Sequence, residues 1–147
     1  MSAPILTAAL KLAHAGKPVF PCKRNKMPFT THGFKDATTD TEQIKSWWQK
    51  WPDALLAMPT GDASGLLVLD VDLPHGPASL AALEAQHGPL QVTLEASTRS
   101  GGRHIYFQHV PGIGCSTGKL GPGLDIRADG GYVIVPPSPG YSWVRGV

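Results

Sequence analysis

The sequence predicts an α+β domain built on a mixed or antiparallel sheet. Helical periodicity is confined to three segments, near residues 4–15, 40–51 and 76–88, and from residue 66 onward short period-two runs follow one another with only one helix among them. The 17 glycines and 14 prolines, against a charged fraction of 16%, supply the turns that many short strands need. A chain of 147 residues fits one domain with a real hydrophobic core.

The first helix spans Pro4 to Ala15, with Ile5, Ala8, Ala9, Leu12 and Ala13 at helical spacing, Ser2 placed to cap it and Gly16 at the position that ends it. Val19-Phe20 reads as a short strand. Residues 21–39 are irregular and basic, with Lys23, Arg24, Lys26 and Lys35. Such a run fits a solvated loop, and it also fits a set of contacts to DNA phosphates. The next helix starts at Asp40, with Gln43 as its capping-box partner. Ile44, Trp47, Trp48 and Trp51 recur along it at i, i+3, i+4, i+7 before Pro52 stops it. That spacing assigns the tryptophans to the core rather than to exposed base-stacking platforms.

Ala54 to Met58 reads as a strand and Thr60-Gly61-Asp62 as a turn. The run Leu66-Leu67-Val68-Leu69-Asp70-Val71-Asp72 is a buried strand whose alternation puts Val68, Asp70 and Asp72 on one face. Gly76-Pro77 opens a helix that Gly88 closes. Gln91 to Ala96 is a strand, Ser97 to Arg103 a turn, and His104 to Gln108 a strand again. The Gly-rich residues 109–123 imitate a phosphate-binding loop at Gly118-Lys119, but the spacing, the following residue and the helix that such a loop requires are all missing. Leu124 to Arg127 and Tyr132 to Val135 read as strands joined by the hairpin turn Ala128-Asp129-Gly130-Gly131, in which Asp129 would bond its own backbone. Tyr141-Ser142-Trp143 adds a last strand.

Charge is sorted along the chain. Residues 1–50 carry eight Lys or Arg against three acids, residues 51–98 six acids and no Lys or Arg, and residues 99–147 five against two. An acidic centre with basic flanks suits a metal site for a polyanionic substrate, and a solvated surface gives the same order. No apolar run approaches the roughly 20 residues that span a bilayer, and no signal-peptide pattern opens the chain. The expectation is therefore a cytoplasmic protein with no membrane partner. Cys22 and Cys115 stand far apart and without ligand spacing, which indicates buried or incidental thiols.

Three segments carry the chemistry. Asp70 and Asp72 point the same way from one strand, where two like charges raise one another's pKa unless a divalent cation sits between them. A strand running into solvent would also tolerate them. In Ser100-Gly101-Gly102-Arg103-His104-Ile105-Tyr106-Phe107, His104 and Tyr106 share a face, the glycines leave backbone amides open to an anion, and Arg103 and His104 offer donors to phosphate. A plain hairpin turn fits this segment too. In Leu124-Asp125-Ile126-Arg127, Asp125 and Arg127 share a face. One such strand is unremarkable, but three in a row are poorly explained by coincidence.

Taken together these segments resemble the prim-pol (bifunctional DNA primase/polymerase) domains of the archaeo-eukaryotic primase superfamily, found at the N-terminus of phage and plasmid replication proteins. The resemblance also takes in Lys26-x-Pro28, His32 to Thr38, Trp47-Trp48 and Gly130 to Ser138. It implies a primase catalytic core like an RNA-recognition-motif sheet joined to an N-terminal α/β module. It further implies template-dependent synthesis and extension of primers from nucleoside triphosphates on a DNA template, by a two-metal mechanism with Mg²⁺ or Mn²⁺. By position, Asp70, Asp72 and Asp125 would hold the metals and His104 would contact the triphosphate. Ser100, Gly101, Gly102 and Arg103 would lie in the nucleotide site, and Arg127 would serve as a second phosphate or template contact. The two cysteines cannot build the zinc-binding loop of some relatives. The chain also ends soon after Trp143 where relatives continue, which reads as a prim-pol domain over residues 1–147 cut from a longer replication protein that can include a helicase region. Two other functions share these features: a nucleotide- or single-strand-binding module inactive alone, and a metal-dependent phosphohydrolase or nuclease.

Overall fold

A computed structural model describes residues 2–91 and 94–145. In chain order it contains α1 (Ser2–His14), β1 (Phe20–Cys22), a 3₁₀ turn (Gly33–Asp36), α2 (Thr41–Lys50), β2 (Leu55–Pro59), β3 (Leu66–Val71), α3 (Gly76–His87), β4 (Leu94–Ser97), β5 (Arg103–Gln108), β6 (Ser116–Thr117), β7 (Leu124–Arg127), β8 (Tyr132–Ile134) and β9 (Ser142–Arg145). The strands form two sheets, β1-β2-β8 and β6-β7-β3-β5-β4-β9. Every ladder between these strands is antiparallel, so the fold is α+β as predicted. The expected cap from Ser2 and the start of the strand expected at Gln91 involve positions outside the described residues or side chains.

Both faces of the larger sheet are covered. Leu69, Val71, Ile105 and Leu124 alternate onto one face and pack under α3 against Leu80. Val68, Ala96 and Tyr106 lie on the other and pack against α1, α2 and the smaller sheet through Ile5, Ala9, Ile44, Trp48, Leu56 and Met58. The Asp70 face is therefore not simply polar: one end of it is core, and ionisable groups occupy the other. Tyr106, expected beside His104 on a polar face, is 2% exposed and belongs to that core.

α2 buries Ile44 and Trp48, while Trp47 and Trp51 remain half-buried; Trp51 stacks on Phe29 with centroids 4.5 Å apart. Its cap differs from the expected capping box. The Asp40 carboxylate accepts from the N–H of Glu42, and the Asp40 N–H donates to the Thr38 hydroxyl, the part assigned to Gln43. The largest departure concerns Ala128 to Gly131. These residues do not close a hairpin, because β7 pairs with β3 in the larger sheet and β8 pairs with β2 in the smaller one. The segment crosses between the sheets, and its Gly130 and Gly131 line the cleft between them.

Candidate active site

The site begins as a row across three strands. β3 lies between β5 and β7, and the register sets Asp70 opposite both His104 and Asp125. Directly opposed antiparallel residues carry side chains about 5 Å apart, so pairing alone brings these groups together. Asp72 follows immediately after β3, where its N–H donates to Gly123 O at 2.8 Å and its own carbonyl accepts from the Gly76 N–H at 2.7 Å. Gly123 has φ +78°, and a Cβ there would lie 2.4 Å from the Gly76 nitrogen. Glycine at both positions lets the start of α3 sit against β7 and holds Asp72 at the end of the row.

Carboxylate oxygens of Asp70, Asp72 and Asp125 all lie within 4.8 Å of one another. His104 Nε2 is 3.4 Å from Asp70 Oδ1, while Arg127 Nη2 is 3.8 Å from Asp70 Oδ2 and 3.4 Å from Asp125 Oδ2. The other Asp125 oxygen accepts from the Gly118 N–H at 3.1 Å. Burial pushes the Asp70 carboxyl up, but His104 and Arg127 outweigh it and hold Asp70 below the usual carboxylate range. Asp72 moves the other way, raised by burial and by the charges of Asp70 and Asp125. The acids thus compete for negative charge, and a cation would relieve the competition. Asp70 Oδ1 is buried without a hydrogen-bond partner, and three carboxylates are a hard oxygen set suited to Mg²⁺ or Mn²⁺. The residues present fit such an ion.

The row opens into a cleft of about 370 Å³ between the two sheets. Asp70, Asp72, His104, Arg127 and Ser100 line it together with Gly131, Tyr132 and Tyr141. Of the four basic residues read as DNA contacts, the structure brings only Lys26 to this cleft. Its backbone sits at φ +74°, and its carbonyl accepts from the Tyr132 hydroxyl at 2.8 Å. Lys23 lies over the Phe29 ring, Arg24 lines a separate groove with Pro4 and Pro139, and Lys35 is exposed on the 3₁₀ turn.

The Ser100 to Arg103 segment differs from its sequence reading. The N–H groups of Gly101 and Gly102 donate to the Thr98 carbonyl and hydroxyl, at 3.0 and 3.1 Å, so the amides expected to meet an anion are occupied within the turn. Gly102 is required for another reason: a Cβ there would lie 2.3 Å from the Val71 carbonyl oxygen. Arg103 alternates onto the sheet face opposite His104. There it makes a bidentate pair with the buried Glu95, Nε to Oε2 at 2.8 Å and Nη2 to Oε1 at 3.0 Å, and it does not line the cleft. Sequence reasoning missed Thr98, Cys115 and Tyr141, which line the cleft, and the Gly118 amide on Asp125. The period-two pattern carried the signal for Arg103. None carried Gly118, whose contact depends on how residues 109–123 fold back onto β7.

Two of the three convergent carboxylates, Asp70 and Asp72, line the cleft with His104 and Arg127, while Asp125 stands behind them and does not line it; such a set suits a metal-dependent enzyme acting on phosphates. The family model described as bifunctional DNA primase/polymerase, N-terminal, matches residues 9–147, and the chain belongs to that family. Membership places it among DNA primase/polymerase enzymes of the nucleotidyltransferase type, which depend on metal and act on DNA and nucleotides. A search of curated proteins finds no match. Among the described residues, no helix is long and apolar enough to cross a membrane.

Proposed function

We propose that this domain synthesises primers and extends them on a DNA template, with Asp70, Asp72 and Asp125 holding Mg²⁺ or Mn²⁺. The observation that carries this reading is the row His104–Asp70–Asp125 across β5, β3 and β7, completed by Asp72 and set beside a cleft that Asp70, Asp72 and His104 line. Asp70, Asp72 and Asp125 would hold divalent ions that would supply activation of the attacking 3′-hydroxyl and charge neutralisation at the leaving pyrophosphate. The chain's own residues do the rest. Asp125 is oriented by the Gly118 amide, Arg127 spans Asp70 and Asp125 and can turn one donor to phosphate, and His104 contacts the triphosphate from the floor of the cleft. Ser100 offers a hydroxyl at the rim, while Gly101 and Gly102 shape the turn that presents it. Lys26 is the basic residue best placed to meet the template or triphosphate at the mouth. A helicase region in the same full-length protein and a cytoplasmic location belong with this reading.

The test is a primer-synthesis assay with single-stranded template, all nucleotides, and Mg²⁺ or Mn²⁺. Labelled products of defined length support the proposal. Release of mononucleotides from the template without synthesis would assign the site to a nuclease, and nucleotide binding with neither activity would assign it to a binding module.

A further inference from the structure

The same three strands carry a second cluster at their opposite end. His109 follows β5, Asp129 follows β7, and Asp62 lies in the turn that leads into β3. About four residues of strand separate this end from Asp70, or roughly 13 Å at the rise of a β-strand. The His109 side chain is 4% exposed, and neither of its ring nitrogens has a hydrogen-bond partner. Nε2 nevertheless lies 3.4 Å from Asp62 Oδ1 and 3.4 Å from Asp129 Oδ2.

The arrangement is built rather than incidental. The Asp62 N–H donates to Asp129 Oδ1 at 2.8 Å, which turns the other oxygen of that carboxylate toward the ring. Asp129 therefore does not bond its own backbone as a simple turn residue would. Gly61 has φ +82°, and a Cβ there would lie 2.3 Å from Asp129 Oδ1, so a side chain at 61 would block the approach. The His109 N–H donates to the Gly65 carbonyl at 2.9 Å and pins the histidine beside the same turn. Three segments distant in sequence thus converge on one point.

A protonated histidine bridging two carboxylates would form charged hydrogen bonds near 2.7–2.9 Å. The observed separations are longer. They match donors around an ion instead, since ligands about 2.1 Å from a tetrahedral centre lie about 3.4 Å from each other. One imidazole nitrogen and two carboxylate oxygens suit Zn²⁺ better than Mg²⁺. We propose that Asp62, His109 and Asp129 form a second divalent-metal site, separate from the Asp70 cluster, which takes Zn²⁺ and ties the turn before β3 to the ends of β5 and β7. Its place gives it a purpose. Residues 109–123 span the gap between His109 and β7, and this segment supplies the Gly118 amide that orients Asp125. Asp62, with its side chain 83% exposed, leaves a side of the ion open to water.

The experiment is calorimetric titration of Zn²⁺ into the chain carrying Asp70→Asn, Asp72→Asn and Asp125→Asn together, so that the carboxylate cluster cannot compete. One equivalent should bind, and adding Asp62→Asn or His109→Gln should weaken it by more than the roughly 10- to 100-fold that loss of an outer partner costs. Zinc binding that is absent, or indifferent to both replacements, overturns the proposal. A second readout needs no variant. In the ¹⁵N-labelled wild-type chain, Zn²⁺ should shift the His109 Nε2 resonance. A His109 Nε2 resonance that Zn²⁺ leaves in place overturns the proposal as well. Neither result depends on polymerase activity.

Discussion

Asp70 on β3 stands directly opposite His104 on β5, with His104 Nε2 3.4 Å from Asp70 Oδ1. The pair is at once a product of sheet register and the centre of the site. Both residues are almost fully buried, and the remaining acids gather around Asp70.

Replacing Asp70 and Asp72 together by Asn should abolish nucleotide incorporation, since both remove charge from the metal-holding row without changing side-chain size. The far-ultraviolet circular dichroism should stay that of the wild type. A double variant that synthesises normally would remove these acids from the metal site.

Asp125→Asn should lower synthesis by orders of magnitude and weaken Mn²⁺ binding, as expected for loss of a carboxylate held by the Gly118 amide and directed at the cluster. Calorimetry with Mn²⁺ on this variant measures the effect directly. Unchanged affinity would leave Asp70 and Asp72 as the whole site.

Asp72 connects catalysis to stability. In the metal-free chain its folded-state carboxyl is raised by burial and by Asp70 and Asp125, so folding favours the protonated form. That contribution is complete below the unfolded pKa and is lost as pH rises through the folded one. Asp72→Asn, uncharged throughout, should therefore be the more stable form near neutral pH in EDTA, by a margin that solvent screening of this partly exposed group keeps small. The advantage should shrink on acidification below the unfolded pKa, roughly 4. Urea unfolding at the two pH values measures it, and an Asn variant less stable at neutral pH would contradict the electrostatic account.

Arg103→Ala should act on stability rather than on nucleotide affinity. It removes the bidentate partner of Glu95, which is 4% exposed, but Arg103 itself is partly solvated. The expected cost is on the order of 2 kcal/mol, below the 3–5 kcal/mol of a fully buried pair. A nucleotide KM raised tenfold with unchanged stability would return Arg103 to the triphosphate site.

The two thiols should differ in reactivity. Cys22 is fully buried and its thiol is pushed up to about 12 by burial, whereas Cys115 is exposed and lines the cleft. Alkylation of the native chain near pH 8 should give one adduct, at Cys115, and a bulky maleimide there should slow incorporation. Mass spectrometry after digestion locates the label.

The sequence made the row visible because period-two alternation is local: Asp70 with Asp72, and Asp125 with Arg127, can be assigned to faces without knowing what pairs with what. The α2 helix and its core tryptophan were legible for the same reason. What was hidden depends on pairing. The turn Ala128-Asp129-Gly130-Gly131 has hairpin composition, yet β8 finds its partner in β2, more than seventy residues earlier. Arg103 meets Glu95 only once β4 and β5 align. The open amides read into Gly101 and Gly102 were lost to Thr98, a neighbour whose hydroxyl competes with any ligand. Asp62, His109 and Asp129 look unrelated in sequence and meet only through register at the far ends of three strands.

Template-directed extension of a labelled primer, with each nucleotide supplied singly and Mn²⁺ present, tests the central claim most directly. The wild-type chain should add only the nucleotide complementary to the next template base, and the Asp70→Asn/Asp72→Asn variant should add none. Equal extension by both proteins, or addition that ignores the template base, would contradict the assignment of this cleft as the nucleotidyl-transfer site.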